Sequence, residues 1–146
     1  MASFQDILNT PAADAKPPEA LPTGTYLSVV DGQPEIVQLG QKQNHAAIFS
    51  LKPLQAQKDV DETRLSEVLN GAHLSDKRFR HTLWLTEDAK FRLAQFYDHL
   101  GLERGTKTLG ELIPETMGKQ VLVNIGHRAS PDGQQVFAEV KSTAKV

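Results

Sequence analysis

The 146-residue chain contains no cysteine, which excludes disulfides and thiolate-bound zinc and fits a reducing compartment. No run reaches the roughly 18 apolar residues that a membrane-crossing helix needs. The opening Met1-Ala2-Ser3-Phe4-Gln5-Asp6 has neither the charged head nor the apolar stretch of a secretory signal. Glycine-rich phosphate loops of the Gly-x-x-x-x-Gly-Lys-Ser/Thr and Gly-x-Gly-x-x-Gly types are missing. The five histidines, His45, His73, His81, His99 and His127, fall in separate segments without metal-ligand spacing. Acidic residues gather at Asp59, Asp61 and Glu62 and at Glu87 and Asp88, which read as solvated helix starts rather than a catalytic pair. These gaps predict a soluble, cytoplasmic, non-enzymatic protein without metal or cofactor. They leave open whether it holds a nucleic acid or another protein.

What is present is sorted charge. The net charge of −2 hides two basic stretches. Residues 77–92 carry five cations against two anions, and residues 117–146 carry four against two. Residues 55–76, in contrast, carry two cations against five anions. Each basic stretch contains a strand-like run. In one sheet the two would form a basic, partly aromatic face, which is what gripping a polyanion with exposed bases requires.

Residues 1–22 include Pro11, Pro17, Pro18 and Pro22 among small and polar residues, a composition that predicts a flexible arm. Within it, Phe4, Ile7 and Leu8 have the spacing of one amphipathic turn. The folded domain is expected over 23–146. Its predicted strands are Thr25–Val30, His45–Lys52, Arg78–Leu85, Lys119–Arg128 and Gln135–Ser142. The last two are joined by the turn Ser130-Pro131-Asp132-Gly133. Whether Glu35-Ile36-Val37 extends the first strand or begins another is open at this level.

Helices are expected around 61–70, 86–100 and 108–114. Leu65, Val68 and Leu69 recur at helical spacing before Gly71. Thr86 is expected to cap a helix whose stripe is Ala89, Leu93, Phe96 and Leu100, and Thr108-Leu109-Gly110-Glu111 has capping-box spacing. This order predicts a mainly β protein with inserted helices, specifically a small five-stranded Greek-key barrel of the OB (oligonucleotide/oligosaccharide-binding) type. An open α+β sheet covered on one side is the next choice.

Alternation along the third strand sends Phe79, His81, Leu83 and Leu85 to the core and Arg78, Arg80, Thr82 and Trp84 outward. Two guanidiniums and the only tryptophan then share a face suited to phosphate contact and base stacking. The plainer alternative packs Trp84 under the following helix. Lys52 in the second strand joins the basic face. In the last hairpin the β-branched residues form the core, leaving Asn124, Arg128, Phe137 and Lys141 outside. Phe137 is either a stacking platform or a packing contact with a neighbouring loop or subunit. The expected nucleic-acid-binding set is therefore Lys52, Arg78, Arg80, Trp84, Arg128, Phe137 and Lys141.

The layout resembles phage-encoded single-stranded-DNA-binding proteins of replication and recombination modules. The resemblance rests on Leu21-Pro22-Thr23-Gly24-Thr25-Tyr26 entering the first strand and on Arg80-His81-Thr82-Leu83-Trp84-Leu85-Thr86. It is completed by Gly118-Lys119-Gln120-Val121-Leu122-Val123 with Pro131-Asp132-Gly133. It spans most of residues 21–142. It does not extend to the acidic tail common among such binders, since the last residues here are Ser142-Thr143-Ala144-Lys145-Val146. The resemblance implies an OB-like fold, binding to single-stranded DNA, a bacterial-host cytoplasm, phage recombination or replication proteins as partners, and a homo-oligomer. The rival expectation is a protein-interaction module acting through residues 1–20 and the acidic 59–69 stretch. A structural particle subunit is a third.

Overall fold

A computed structural model of the chain describes residues 4–9, 12 and 19–146. The elements run α1 (Phe4–Leu8), β1 (Gly24–Val30), β2 (Glu35–Leu39), β3 (Asn44–Ala56), α2 (Glu62–Leu69), β4 (Phe79–Trp84), α3 (Lys90–His99), α4 (Leu109–Leu112), β5 (Gln120–Ala129) and β6 (Val136–Ala144). A 3-10 turn at Leu74–Asp76 leads into β4, and another at Ile113–Thr116 prolongs α4 through Pro114. Most of the expected arm, including Pro11, Pro17 and Pro18, lies outside the described residues. Leu21 and Pro22, which the 1–22 boundary assigned to that arm, are buried. Tyr26 donates its hydroxyl to the Pro22 carbonyl at 2.7 Å, and His127 Nε2 lies 2.7 Å from the Leu21 carbonyl oxygen. The packed domain therefore starts ahead of residue 23.

The protein is mainly β, with six antiparallel strands rather than the expected five. They run in the order β2-β3-β1-β5-β6, with β4 on β3. The extra strand is β2, which pairs with residues 44–48 of β3. The second strand also runs on past Lys52 to Ala56. Its Pro53 has no N–H to give to a ladder, and a bulge where Leu27 and Ser28 meet Gln55 and Pro53 absorbs it. No ladder joins β4 to β6 among the described residues, although the two lie side by side, so the sheet stays open there.

Alternation places Tyr26 and Val30 of β1, Phe49 and Leu51 of β3, Phe79 and Leu83 of β4 and Val121, Val123 and Ile125 of β5 in one core. Edge-to-face ring pairs fix it, Tyr26 on Phe79 at 5.3 Å and Phe49 on Phe96 at 4.9 Å. α3 covers this core with Leu93, Phe96 and Tyr97, and Leu100 follows, while Ala89, expected in the same stripe, lies just ahead of the helix. The helix starts at Lys90 instead of Thr86. The Leu85 N–H first donates to the His45 carbonyl at 2.8 Å, carrying the strand contact on, and residues 86–89 form a turn closed by Ala89 N–H to Thr86 O.

The acidic residues before α2 serve the fold. Asp61 caps the helix by accepting from the N–H groups of Thr63 and Arg64. Asp59 accepts from the Thr25 N–H at 2.9 Å and the Thr25 hydroxyl at 2.8 Å, and these bonds hold its carboxyl below the usual range. A Cβ on Gly24 would stand 2.6 Å from Val60 Cγ2, so only glycine lets this connection lie against β1. Among the described residues no helix is long and apolar enough to cross a membrane.

Candidate nucleic-acid interface

The open seam between β4 and β6 is floored by α3. Phe96 presents its ring to His81 of β4 at 5.1 Å, edge to face, and His99 Nδ1 lies 2.7 Å from Thr143 Oγ1 of β6. The helix thus spans both strands and holds them apart over a groove of about 1210 Å³. Arg80 and Trp84 reach it from β4, Arg128 from β5, and Phe137 and Lys141 from β6. α3 adds Phe91 and Arg92.

Five of the seven residues expected from sequence therefore meet in one groove, drawn from three strands. Trp84 is 39% exposed and Phe137 43%, so neither is sealed in the core. Trp84 is not part of the buried cluster that α3 covers. Arg128 holds its guanidinium 6.0 Å from the Phe137 ring centre, close to the reach of a cation–π contact. Lys141 occupies a bulge in β6 and lies across Gly126, where an added Cβ would stand 2.6 Å from Lys141 Cε. Glycine at 126 lets the lysine stem lie flat on the hairpin.

Lys52 and Arg78 do not reach the groove. Lys52 is half-buried on β3 opposite Val29. Arg78 precedes β4 and is held by its neighbours. Its Nε donates to Asp31 Oδ2 at 2.8 Å, and its Nη1 donates to the carbonyls of Ser75 and Lys77 at 2.6 and 2.7 Å. Sequence reasoning missed Phe91 and Arg92. The available signal was Phe91, an aromatic standing off the Leu93-Phe96-Tyr97 stripe of an amphipathic helix and 60% exposed in the structure. Arg92 sits 5.9 Å from its ring centre, so a second guanidinium–phenyl pair faces the groove.

The six arginines divide cleanly. Arg64 pairs with Glu19 and Glu67, Arg78 with Asp31, and Arg104 with Asp98; none of these three lines the groove. Arg80, Arg92 and Arg128 have no carboxylate partner among the described residues, and all three line it. Lys141 is held loosely, 3.4 Å from Glu139. The groove also collects three of the large apolar side chains left exposed, all aromatic: Trp84, Phe91 and Phe137.

No protein-family model matches the chain, and no curated protein is similar to it in sequence. The groove must be judged on its chemistry. Among the described residues no cluster of three histidine or acidic side chains is placed to hold a metal ion. His81, deep beside Phe96, is pushed down to about 4 by burial, so near neutral pH it is an uncharged part of the wall. The cationic character of the groove comes from guanidiniums that stay charged at any working pH.

Proposed function

We propose that the protein is a non-enzymatic single-stranded-DNA-binding protein that seats the strand in the groove between β4, α3 and β6. The sorting of the arginines carries this reading. The arginines matched inside the molecule lie away from the groove, and the unmatched ones line it together with Trp84, Phe91 and Phe137. Backbone phosphates supply the missing anions, and bases supply faces for Trp84, Phe91 and Phe137 to stack on.

The strand order supports an OB-like architecture for the same purpose. With β2 set aside as an added edge strand, the pairing order β4-β3-β1-β5-β6 is the one a five-stranded Greek-key barrel left open between β4 and β6 would have. α3 falls between the third and the fourth. In such barrels the outer face of the second and third strands, with the last hairpin, takes oligonucleotides. Here β4 and the hairpin bearing Arg128 and Phe137 line the groove, and β3 adds no residue to it. A role beside phage replication or recombination proteins follows from the resemblance noted above. A homo-oligomer would raise the modest affinity of one groove by avidity. The rival reading, an acidic interaction module, has less to stand on. Asp59, Asp61 and Glu67 are engaged with Thr25, the α2 N-terminus and Arg64.

Trp84 is the only tryptophan, so its fluorescence reports the groove directly. Titration with oligo-dT is expected to quench it, with an affinity that falls as salt rises. Four groove cations predict a log–log slope of about −3, or about 50-fold between 50 and 200 mM salt. No quenching, or an affinity indifferent to salt, would remove the basis of the proposal.

A further inference from the structure

A second cavity, of about 380 Å³, opens on the outer face of β3 beside the start of β2, and it shares Arg80 with the groove. Its size falls in the range of small-ligand clefts. Ile48 and Phe79 give it apolar walls, while Gln33, Glu35, Ser50 and Arg78 give it hydrogen-bonding groups. This lining differs in kind from the cationic and aromatic groove.

Two observations define what would fit. Glu35 lines the same space as two guanidiniums, yet no ion pair or hydrogen bond joins its carboxylate to any described residue. Arg78 is fixed by Asp31 and by the Ser75 and Lys77 carbonyls through Nε and Nη1, which leaves Nη2 without a partner among the described residues. A donor fixed by its neighbours and an unmatched acceptor therefore line one cavity without pairing with each other. The complementary ligand carries acceptors on one edge and donors on another.

We propose that this cavity is a subsite for one guanine base of the strand seated in the groove; the assignment rests on the single-strand reading above. Among the four DNA bases only guanine presents two adjacent donors, N1–H and the N2 amino group, matching both oxygens of a carboxylate. Its O6 and N7 are the acceptors that an arginine takes. Arg80, common to both cavities, would hold the phosphate between a base in the subsite and the bases stacked in the groove. The protein would then bind any single strand and bind those with a suitably placed guanine more tightly.

The test compares oligo-dT, the same strand with one central deoxyguanosine, and the same strand with one deoxyinosine, which lacks only the N2 amino group. Wild-type protein is expected to favour the deoxyguanosine strand over both others by about tenfold. Glu35→Gln is expected to lose that preference while binding oligo-dT as wild type does. Equal binding of the guanine and inosine strands by wild type, or a preference that survives Glu35→Gln, would overturn the subsite and leave the groove standing. Guanosine monophosphate binding as tightly as the guanine strand would assign the cavity to a free nucleotide and overturn it too. Absence of oligo-dT binding altogether would refute the strand reading and the subsite with it.

Discussion

Replacing Arg80, Arg92 and Arg128 together with alanine will weaken oligo-dT binding about 500-fold at 50 mM salt and flatten the salt slope from about −3 to about −0.7. Each guanidinium that neutralises a phosphate on a single strand contributes roughly 0.7 to that slope, and only Lys141 remains in the triple variant. The control removes Arg64, Arg78 and Arg104, an identical change in net charge. These three sit in half-exposed ion pairs, each worth about 0–1 kcal/mol, so the control is expected to stay folded. Its oligo-dT affinity should stay close to wild type, because charge matters here by position rather than by total. Equal losses in the two triple variants, measured by titration across 50–200 mM salt, would show that net charge alone governs binding.

Acidification from pH 7 to pH 5 will destabilise the protein by about 2 kcal/mol through His81 alone. In the unfolded chain this imidazole has an ordinary value near 6.5, whereas burial beside Phe96 pushes it down to about 4 in the folded state. Between those values the unfolded chain binds a proton that the folded protein refuses, so stability falls as pH falls through that window. The carboxyls of Asp59, Asp98 and Asp132 are held low by Thr25, by Arg104, and by the Ser130 hydroxyl with the Gln134 N–H. Their contribution is present above the unfolded carboxyl value near 3.8 and is lost only below it, which separates the two effects. Denaturant midpoints at pH 7 and pH 5 measure the change, and His81→Leu should flatten it. An unchanged wild-type midpoint would place His81 in contact with water.

The period-two pattern of Phe79 to Trp84 was enough to separate core from outer face. Residues two apart in a strand share a side, whatever the strand pairs with. The turn of the last hairpin was equally plain, since Ser130-Pro131-Asp132-Gly133 supplies its own turn chemistry, although Val136, expected in the core, is 47% exposed. Asp132 accepts there from the Gln134 N–H at 3.1 Å and from the Ser130 hydroxyl. The strand β2 was not plain. Glu35–Leu39, set between the turn glycines Gly32 and Gly40, becomes a strand only because the first half of β3 offers an edge.

The site divides in the same way. Arg80, Trp84, Arg128, Phe137 and Lys141 could be placed on outward strand faces because each side of a strand can be read locally, and all five line the groove. Arg78 falls outside the groove because its guanidinium is drawn to Asp31, 47 residues away, a contact no local pattern shows. Phe91 and Arg92 escaped notice because a helix surface reveals its neighbours only once the helix is packed. The convergence of β4, α3 and β6 on one groove is a tertiary fact, which no single segment encodes.

The most direct test is photocrosslinking of the full chain to 5-iododeoxyuridine-substituted oligo-dT, with the attached peptides mapped by mass spectrometry. Aromatic side chains stacked on a base are the favoured acceptors, and Trp84, Phe91 and Phe137 are expected to carry the crosslinks, with salt suppressing all three together. Crosslinks confined to other residues, or none above a scrambled-protein background, would contradict the groove as the seat of the strand.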